Sequence, residues 1–283
     1  MIIDLHTHSN FSDGTQSPAE LMAQAKKEGL DVVALTDHDS VAGWESAAVV
    51  AEKLDLSLIR GSEFTARMEG ITVHLLSYLH DPLHPAIVAH NEFMMHNRME
   101  RMKRITRLIS RDYPVTWEDV LEVVGDEQTV IGRPHLADAL VRNGILASRE
   151  EAFAGLLKNG SPYLVHQTST DALTMIETIR SAGGVAVFAH PGALYRGRIV
   201  TDAALAEMVS AGLQGLEVFH RDNPPEQRQR LARVASENNL LVTGSSDYHG
   251  QGKPNLLAEN TTTPEVYEQI VALGRIGVVG PGI

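Results

Sequence analysis

Met1-Ile2-Ile3-Asp4-Leu5-His6-Thr7-His8 is the stretch on which the fold turns. Apolar and β-branched residues predict a short strand from Met1 to Leu5, and that strand delivers two imidazoles at its carboxyl end. Residues two apart on extended chain share a face, so His6 and His8 aim the same way. The arrangement recurs along the chain. A strand from Asp31 to Thr36 runs into Asp37-His38-Asp39, and one from Leu56 to Ser62 runs into Glu63. A strand from Ile71 to Ser77, reached through a Glu69-Gly70 turn, contains His74. Val185 to Ala189 leads to His190-Pro191, and Leu240 to Gly244 leads to Ser246-Asp247-Tyr248-His249. A lone His-x-His pair is more often a packed or surface feature than a ligand pair. Imidazole or carboxylate at the same end of six strands instead marks a site at the carboxyl mouth of a barrel.

Helical patterns separate these strands. Ser17 to Glu28 carries a capping box, with Ser17 as N-cap, Pro18 in the first turn and Glu20 reaching back, and Gly29 stops it. Further helices are expected over Val41 to Leu54, Asp171 to Ala182, Asp202 to Ala211 and Pro225 to Asn238, with a strand from Leu216 to Phe219. Strands joined by helical crossovers predict an α/β fold with a parallel sheet, closed into a barrel of about seven strands. The alternation breaks from His80 to Tyr163. This helix-rich stretch is expected to be an insertion over the barrel mouth, with residues 1–79 and 164–283 forming the barrel. Its first long helix carries Arg98, Arg101, Lys103, Arg104, Arg107 and Arg111, a basic cluster balanced between a solvated face and a binding role.

The 283 residues suit one α/β barrel with a small insert. A formal charge of −12 argues against a protein that coats nucleic acid, but not against an anionic substrate, because bound cations would reverse the field where the acidic residues gather. With no cysteine, the chain has neither disulfides nor thiolate metal sites. No apolar run reaches the ~20 residues of a membrane span, and no secretory signal pattern is seen, so a cytoplasmic location is expected. Imidazole and carboxylate ligands without thiolate suit manganese, iron or zinc better than a purely magnesium centre. His80, His84, His90, His96 and His166 fall in loops or the insertion and are expected to have no chemical role.

Asp4-Leu5-His6-Thr7-His8-Ser9-Asn10-Phe11-Ser12-Asp13-Gly14 resembles the first motif of the polymerase and histidinol phosphatase (PHP) family. Thr36-Asp37-His38-Asp39 is similar to its second motif and Gly61-Ser62-Glu63 to its third, while His74, Ala189-His190-Pro191 and Ser246-Asp247-Tyr248-His249 match the remaining ligand positions. The resemblance implies a distorted (β/α)7 barrel with two or three divalent ions, manganese by resemblance and iron or zinc otherwise. It implies one ion on His6, His8, Glu63 and Asp247, a second sharing Glu63 with His74 and His190, and a third on Asp13, His38 and His249. Such a centre lowers the pKa of water, orients it in line with the leaving group and offsets phosphoryl charge.

Within that family the chain resembles the short enzymes that hydrolyse nucleoside 3′,5′-bisphosphates and the 5′ ends of small RNAs. Gly132-Arg133-Pro134-His135 is similar to a motif of that subgroup. Arg133 and His135, with Arg198 and Arg221 just past barrel strands, are the expected phosphate contacts, and His220 is the candidate acid for the leaving group. The expected reaction removes the 3′-phosphate of a nucleoside bisphosphate. No membrane or protein partner is expected beyond that nucleotide and short RNA 5′ ends. Three rival readings remain: an amidohydrolase, a non-catalytic module, and a phosphatase for histidinol phosphate or a phosphodiester. The first needs a bridging lysine, and none lies between Lys53 and Lys103; the second should have lost ligands, and none is missing.

Overall fold

The computed structural model describes residues 1–125 and 128–281. Its strands are β1 (Ile3–Asp4), β2 (Val32–Leu35), β3 (Ser57–Met68), β4 (Ile71–Tyr78), β5 (Thr170–Asp171), β6 (Val185–Phe188), β7 (Gly215–Phe219) and β8 (Leu241–Gly244). The helices are α1 (Pro18–Lys27), α2 (Trp44–Lys53), α3 (Pro85–Ile109), α4 (Trp117–Val124), α5 (Arg133–Arg142), α6 (Arg149–Ala154), α7 (Ala172–Ser181), α8 (Asp202–Ser210), α9 (Pro225–Glu237) and α10 (Pro264–Leu273). No helix among the described residues is long and apolar enough to cross a membrane.

The sheet runs β1-β2-β3-β4-β6-β7-β8, with β5 paired to the far end of β3. The segments just beyond β1 and β8 meet through a parallel bridge between Thr7 and Tyr248, which brings the two ends of the sheet together. Alternate residues explain why both faces are apolar. Ile3, Val32, Ala34, Ile59, Val185 and Val187 fill the interior, joined by Tyr267 and Ile270 of α10. Val33, Leu35 and Leu58 turn outward to α1 and α2, and Phe64, Leu75 and Phe188 to the cluster that includes α7 and α8. The capping box of α1 is present, with the Ser17 amide donating to Glu20 Oε2 at 2.8 Å. Helix α10 lies in a stretch to which the sequence reading assigned no element.

The parallel expectation needs one correction. β4 runs antiparallel to both β3 and β6. The Glu69-Gly70 turn is a tight hairpin, and β3 continues to Met68 rather than ending before Glu63. A hairpin return reverses β4, so its mouth end is its beginning. That is why His74, early in β4, lies level with the ends of the parallel strands.

Among the described residues, 80–163 hold α3 to α6 and no strand. They have their own core, in which Met102, Ile105 and Ile109 of α3 meet Val120, Leu136, Leu140 and Leu157. Backbone bonds tie this unit to the loop after β1: the Val130 amide donates to the Phe11 carbonyl at 2.9 Å. Arg149 is paired with Asp138 and reaches the Asp13 carbonyl at 3.4 Å.

Candidate metal centre

Glu63 sits at the middle of the site because of its register. In the antiparallel β3–β4 pair Thr65 faces His74, so Glu63 and His74 are diagonal neighbours on one face, within reach of long side chains. Glu63 Oε1 lies 2.9 Å from His74 Nδ1 and 3.1 Å from His190 Nε2. Its Oε2 lies 3.3 Å from His6 Nε2, 3.2 Å from His8 Nε2 and 3.1 Å from His38 Nδ1. Asp247 Oδ1 is 3.4 Å from both His6 Nε2 and His8 Nε2, and Asp13 Oδ1 is 3.0 Å from His249 Nε2. The local backbone serves this convergence. His190 and Asp247 take left-handed conformations at φ 34° and 55°, unusual for such residues and typical of functional positions. Gly14 packs so closely on the His8 carbonyl that any side chain there would displace the loop that carries Asp13.

Among the described residues, four groups gather ligand atoms within 4.8 Å of one another, and three of them hold the expected ligands: His6, His8, Glu63 and Asp247; His8, Asp13, His38 and His249; and His38, Glu63 and His74. His190 joins through Glu63. All nine sequence-derived ligand positions therefore surround one space. Whether they suit metal ions is tested by their orphaned atoms. Asp13 Oδ1, His38 Nδ1, His74 Nδ1 and His249 Nε2 are buried without a hydrogen-bond partner. Several of them lie about 3 Å from a carboxylate oxygen or ring nitrogen, yet the geometry misses a hydrogen bond. Buried polar groups are otherwise almost always satisfied. Lone pairs aimed at a shared point rather than at each other are what cation ligation requires, and the N/O donor set suits manganese, iron or zinc.

Outer contacts fix the rings. His6 Nδ1 donates to Glu217 Oε1 at 2.9 Å, which leaves Nε2 free to ligate, and Glu217 Oε2 accepts the His190 amide at 2.7 Å. A carboxylate inside the apolar strand Gly215–Phe219 had to find such a partner, and that signal was present in the sequence. Ser9 and Ser12 hold Asp37, while Asp39 accepts from Thr65, His90 and Arg98. His80 is a packed residue, bonded to Ser77 between Trp44 and Phe64.

The remaining expected residues are placed unevenly. His220 is fully buried, and its Nδ1 accepts the Asp222 amide at 3.0 Å, so the ring proton resides on Nε2, 3.6 Å from Asp247 Oδ2. His135 is buried in α5, its Nδ1 accepting the Gly132 amide. Arg133 donates to the Leu157 carbonyl and to Asn159 Oδ1, both at 3.2 Å. Arg221 lies on the rim, 3.5 Å from Glu259. Arg198 is a correction: it turns away to the Glu69 carbonyl at the hairpin tip. Arg196, which the sequence reading passed over, takes the inner position. It lies 3.0 Å from His190 Nε2 and 2.9 Å from Asp247 Oδ2, and it pairs with Asp222. His220, Asp222 and Asp247 also form an acidic group, but one already supplied with Arg196. Lys253 Nζ, 3.0 Å from Asp247 Oδ2, was likewise missed.

Charge in this pocket is mutually arranged. Burial pushes the His38 imidazole down to about 3 and His249 to about 4. Burial also opposes the charged form of His8, yet Asp247 and Glu63 prevail and push it up to about 9. Glu63 and Asp247 are held well below the carboxylate range by surrounding cationic groups, which outweigh burial. A ligating imidazole must be neutral, so at pH 7 a metal must displace the His8 proton. Metal affinity is therefore expected to rise with pH through the neutral range, with protons released on binding, since both His6 and His8 are raised above their ordinary values. Titration calorimetry in buffers of different ionisation enthalpy checks this. Saturating metal at a hundred times Kd should add about 2.7 kcal/mol of stability, read as a higher melting temperature that a chelator reverses.

Comparison with known proteins agrees with this geometry. The PHP domain model matches residues 4–151. The chain is 33% identical over 247 residues to a 5′-3′ exoribonuclease of Haemophilus influenzae, covering 87% of this chain and 89% of that one. It is 32% identical over 255 residues to a phosphoribosyl 1,2-cyclic phosphate 1,2-diphosphodiesterase of Eggerthella lenta, covering 89% and 95%. It is 31% identical over 254 residues to a 3′,5′-nucleoside bisphosphate phosphatase of Chromobacterium violaceum, covering 89% and 88%. A Bifidobacterium adolescentis crystal structure, described as a candidate metal-dependent phosphoesterase, is 44% identical and superposes with a TM-score of 0.95 over 96% of both chains. Nine convergent ligand positions, the barrel and these likenesses lead to one assignment: this chain belongs to the PHP domain family of metal-dependent phosphoesterases.

Proposed function

We propose that this phosphoesterase removes the 3′-phosphate of nucleoside 3′,5′-bisphosphates, giving the 5′-monophosphate and inorganic phosphate, with manganese as its resident metal and residues 80–163 as a cap. The observation that carries this reading is a trio of arginines beside the cluster. Burial with the nearby charges of Arg133 and Arg98 pushes Arg101 down to about 10, and burial with Arg98 also lowers Arg133. Arg98 has Asp39 as its counter-ion. Arg101 and Arg133 meet neutral acceptors, the Val165 carbonyl at 2.7 Å for the first, and no carboxylate lies within ion-pair distance of either among the described residues. Guanidinium charge taken from water without a counter-ion is costly, and a phosphate dianion would offset it through forked hydrogen bonds. Arg133 is linked towards the candidate metal centre through Asn159, which accepts from it and donates to the Arg196 carbonyl at 3.3 Å.

Divalent ions bound at the nine ligands would lower the pKa of water and take up charge on the phosphoryl oxygens. The chain's own residues do the rest. Arg133, with His135 donating through Nε2, holds the remote 5′-phosphate, and Arg221 lies on the rim. That binding fixes the sugar so that the 3′ ester lies in line for attack, converting remote binding into rate. Arg196, between His190 and Asp247, is placed to hold the reacting phosphoryl group. As the O–P bond breaks, the His220 Nε2–H donates a hydrogen bond that stabilises charge on the leaving 3′-oxygen, which takes its proton from water.

The test compares phosphate release from adenosine 3′,5′-bisphosphate and adenosine 3′-monophosphate. The bisphosphate is expected to be preferred by about a hundredfold, the ~2–3 kcal/mol of a charge-assisted pair. Arg133→Ala should erase most of that preference. Equal efficiency on both substrates overturns the reading. Preferred turnover of a 5′-phosphorylated short RNA or of a phosphoribosyl cyclic phosphate would transfer the assignment to the chemistry of the other two relatives.

A further inference from the structure

The β6–α8 connection carries Leu194–Arg196 as a single 3-10 turn. Opposite it, the β7–α9 connection carries Arg221 and Asp222. Between them opens a cleft of about 310 Å³ lined by Leu194, Tyr195, Arg221, Asp222 and Pro224. The reaction above uses only its Arg221 edge. Tyr195 is 72% exposed and Leu194 50%, in a chain whose other aromatics are mostly packed away. Yet Tyr195 is held in place. Its hydroxyl donates to Asp222 Oδ2 at 2.7 Å, and the Arg196 guanidinium lies 5.8 Å from its ring centroid. Asp222 pairs in turn with Arg196, which touches His190 and Asp247. An exposed aromatic ring is thus tied by two side chains to the metal ligands.

We infer that this cleft is the nucleobase subsite, with Tyr195 as the stacking platform and Arg221 across from it. This rests on the nucleotide reading above. The size agrees: about 310 Å³ is at the lower end of ligand pockets, enough for one ring system with part of a sugar but not for a whole nucleotide. The chemistry agrees as well. Unpaired bases are recognised by stacking on aromatic rings and on arginine planes, and the cleft offers one of each. The position agrees too, because Asp222 is shared between the cleft wall and the side chains around Asp247. A base seated there lies beside the reacting phosphate. Stacking is tolerant of base identity, since every base has a π-face, so purines should bind somewhat better than pyrimidines without strict selection.

The fluorescent etheno derivative of adenosine 5′-monophosphate reads this contact apart from turnover, because it has no 3′-phosphate to lose. In titrations of the manganese-loaded protein, wild type and Tyr195→Phe should quench the probe and bind it alike. Tyr195→Ala should bind it about tenfold more weakly, the loss of one stacked base. Unchanged affinity in Tyr195→Ala overturns the subsite. So does an equal loss in Tyr195→Phe and Tyr195→Ala, which would mean the hydroxyl acts only through Asp222 and Arg196. Phosphate release from adenosine 3′,5′-bisphosphate by wild type separates the two levels. No release overturns the nucleotide reading, whereas release with unchanged probe affinity in Tyr195→Ala overturns the cleft alone.

Discussion

Glu63→Gln is expected to lower phosphoester turnover by more than about a hundredfold, beyond the effect usual for an outer-shell partner, while leaving the chain folded. The substitution keeps the side chain's volume and replaces one carboxylate oxygen with an amide that cannot ligate. Both oxygens of Glu63 are committed, one to His74 and His190 and the other to His6, His8 and His38. Among the described residues no other touches as many of the nine side chains, so its charge is what would let neighbouring cations share one space. The barrel should survive, because Glu63 is at the mouth and the packed clusters are built from other residues. Circular dichroism should therefore be unchanged while elemental analysis finds at least one equivalent of metal lost. Glu217→Gln makes the contrast. It touches His6 from behind and should cost only about ten- to a hundredfold. Full turnover with full metal content in Glu63→Gln would contradict the assignment.

The second large effect is on stability. Arg98→Ala is expected to cost about 3–5 kcal/mol, because it leaves the Asp39 carboxylate buried without its counter-ion. Asp39 is fully enclosed, and Arg98 meets its Oδ2 at 2.8 Å. This pair joins α3 to the loop that follows His38, so its loss should loosen the helical unit and that loop together. Burial alone would raise the Asp39 carboxyl, but Arg98, His90 and the Thr65 amide override it and hold the group below the ordinary carboxylate range. The sign follows from linkage. A depressed folded-state pKa contributes stability that is present above the unfolded value of about 3.9 and fades as pH falls below it. Urea midpoints should therefore drop between pH 5 and lower values in wild type, and less steeply in Asp39→Asn. A double-mutant cycle with Arg98→Ala and Asp39→Ala should show clear coupling. Additive losses would mean that the two side chains act independently.

The legible part of this molecule was whatever depends on local spacing. His6 and His8 share a face by strand periodicity, and the capping box at Ser17 fixed the start of α1 from four residues. Most of the residues that converge at the mouth were visible because chemistry-bearing side chains stood just beyond apolar runs, with His74 inside its strand and Asp13 in the loop after β1. What depended on direction was harder. The Glu69-Gly70 turn was recognised, but its consequence, an antiparallel β4 within the barrel, was not. Long-range pairing was harder still. Asp39 and Arg98 are 59 positions apart, and nothing in either neighbourhood announces the other. The difference between Arg196 and Arg198 turned on the single turn that ends at Arg196, with one guanidinium reaching Asp247 and the other the hairpin tip. Glu217 was discoverable, because a carboxylate within a buried strand needs a partner. Asp222 and Lys253 gave no comparable signal.

The central claim is that nine side chains gathered at the mouth ends of six strands hold one multinuclear metal centre. Anomalous diffraction from crystals grown with manganese tests it most directly. The account predicts two or three peaks with neighbours about 3.5–4 Å apart. One peak should lie among His6, His8, Glu63 and Asp247, and another should share Glu63 with His74. No peak within ligating distance of Glu63, or a lone peak held by other residues, would contradict it.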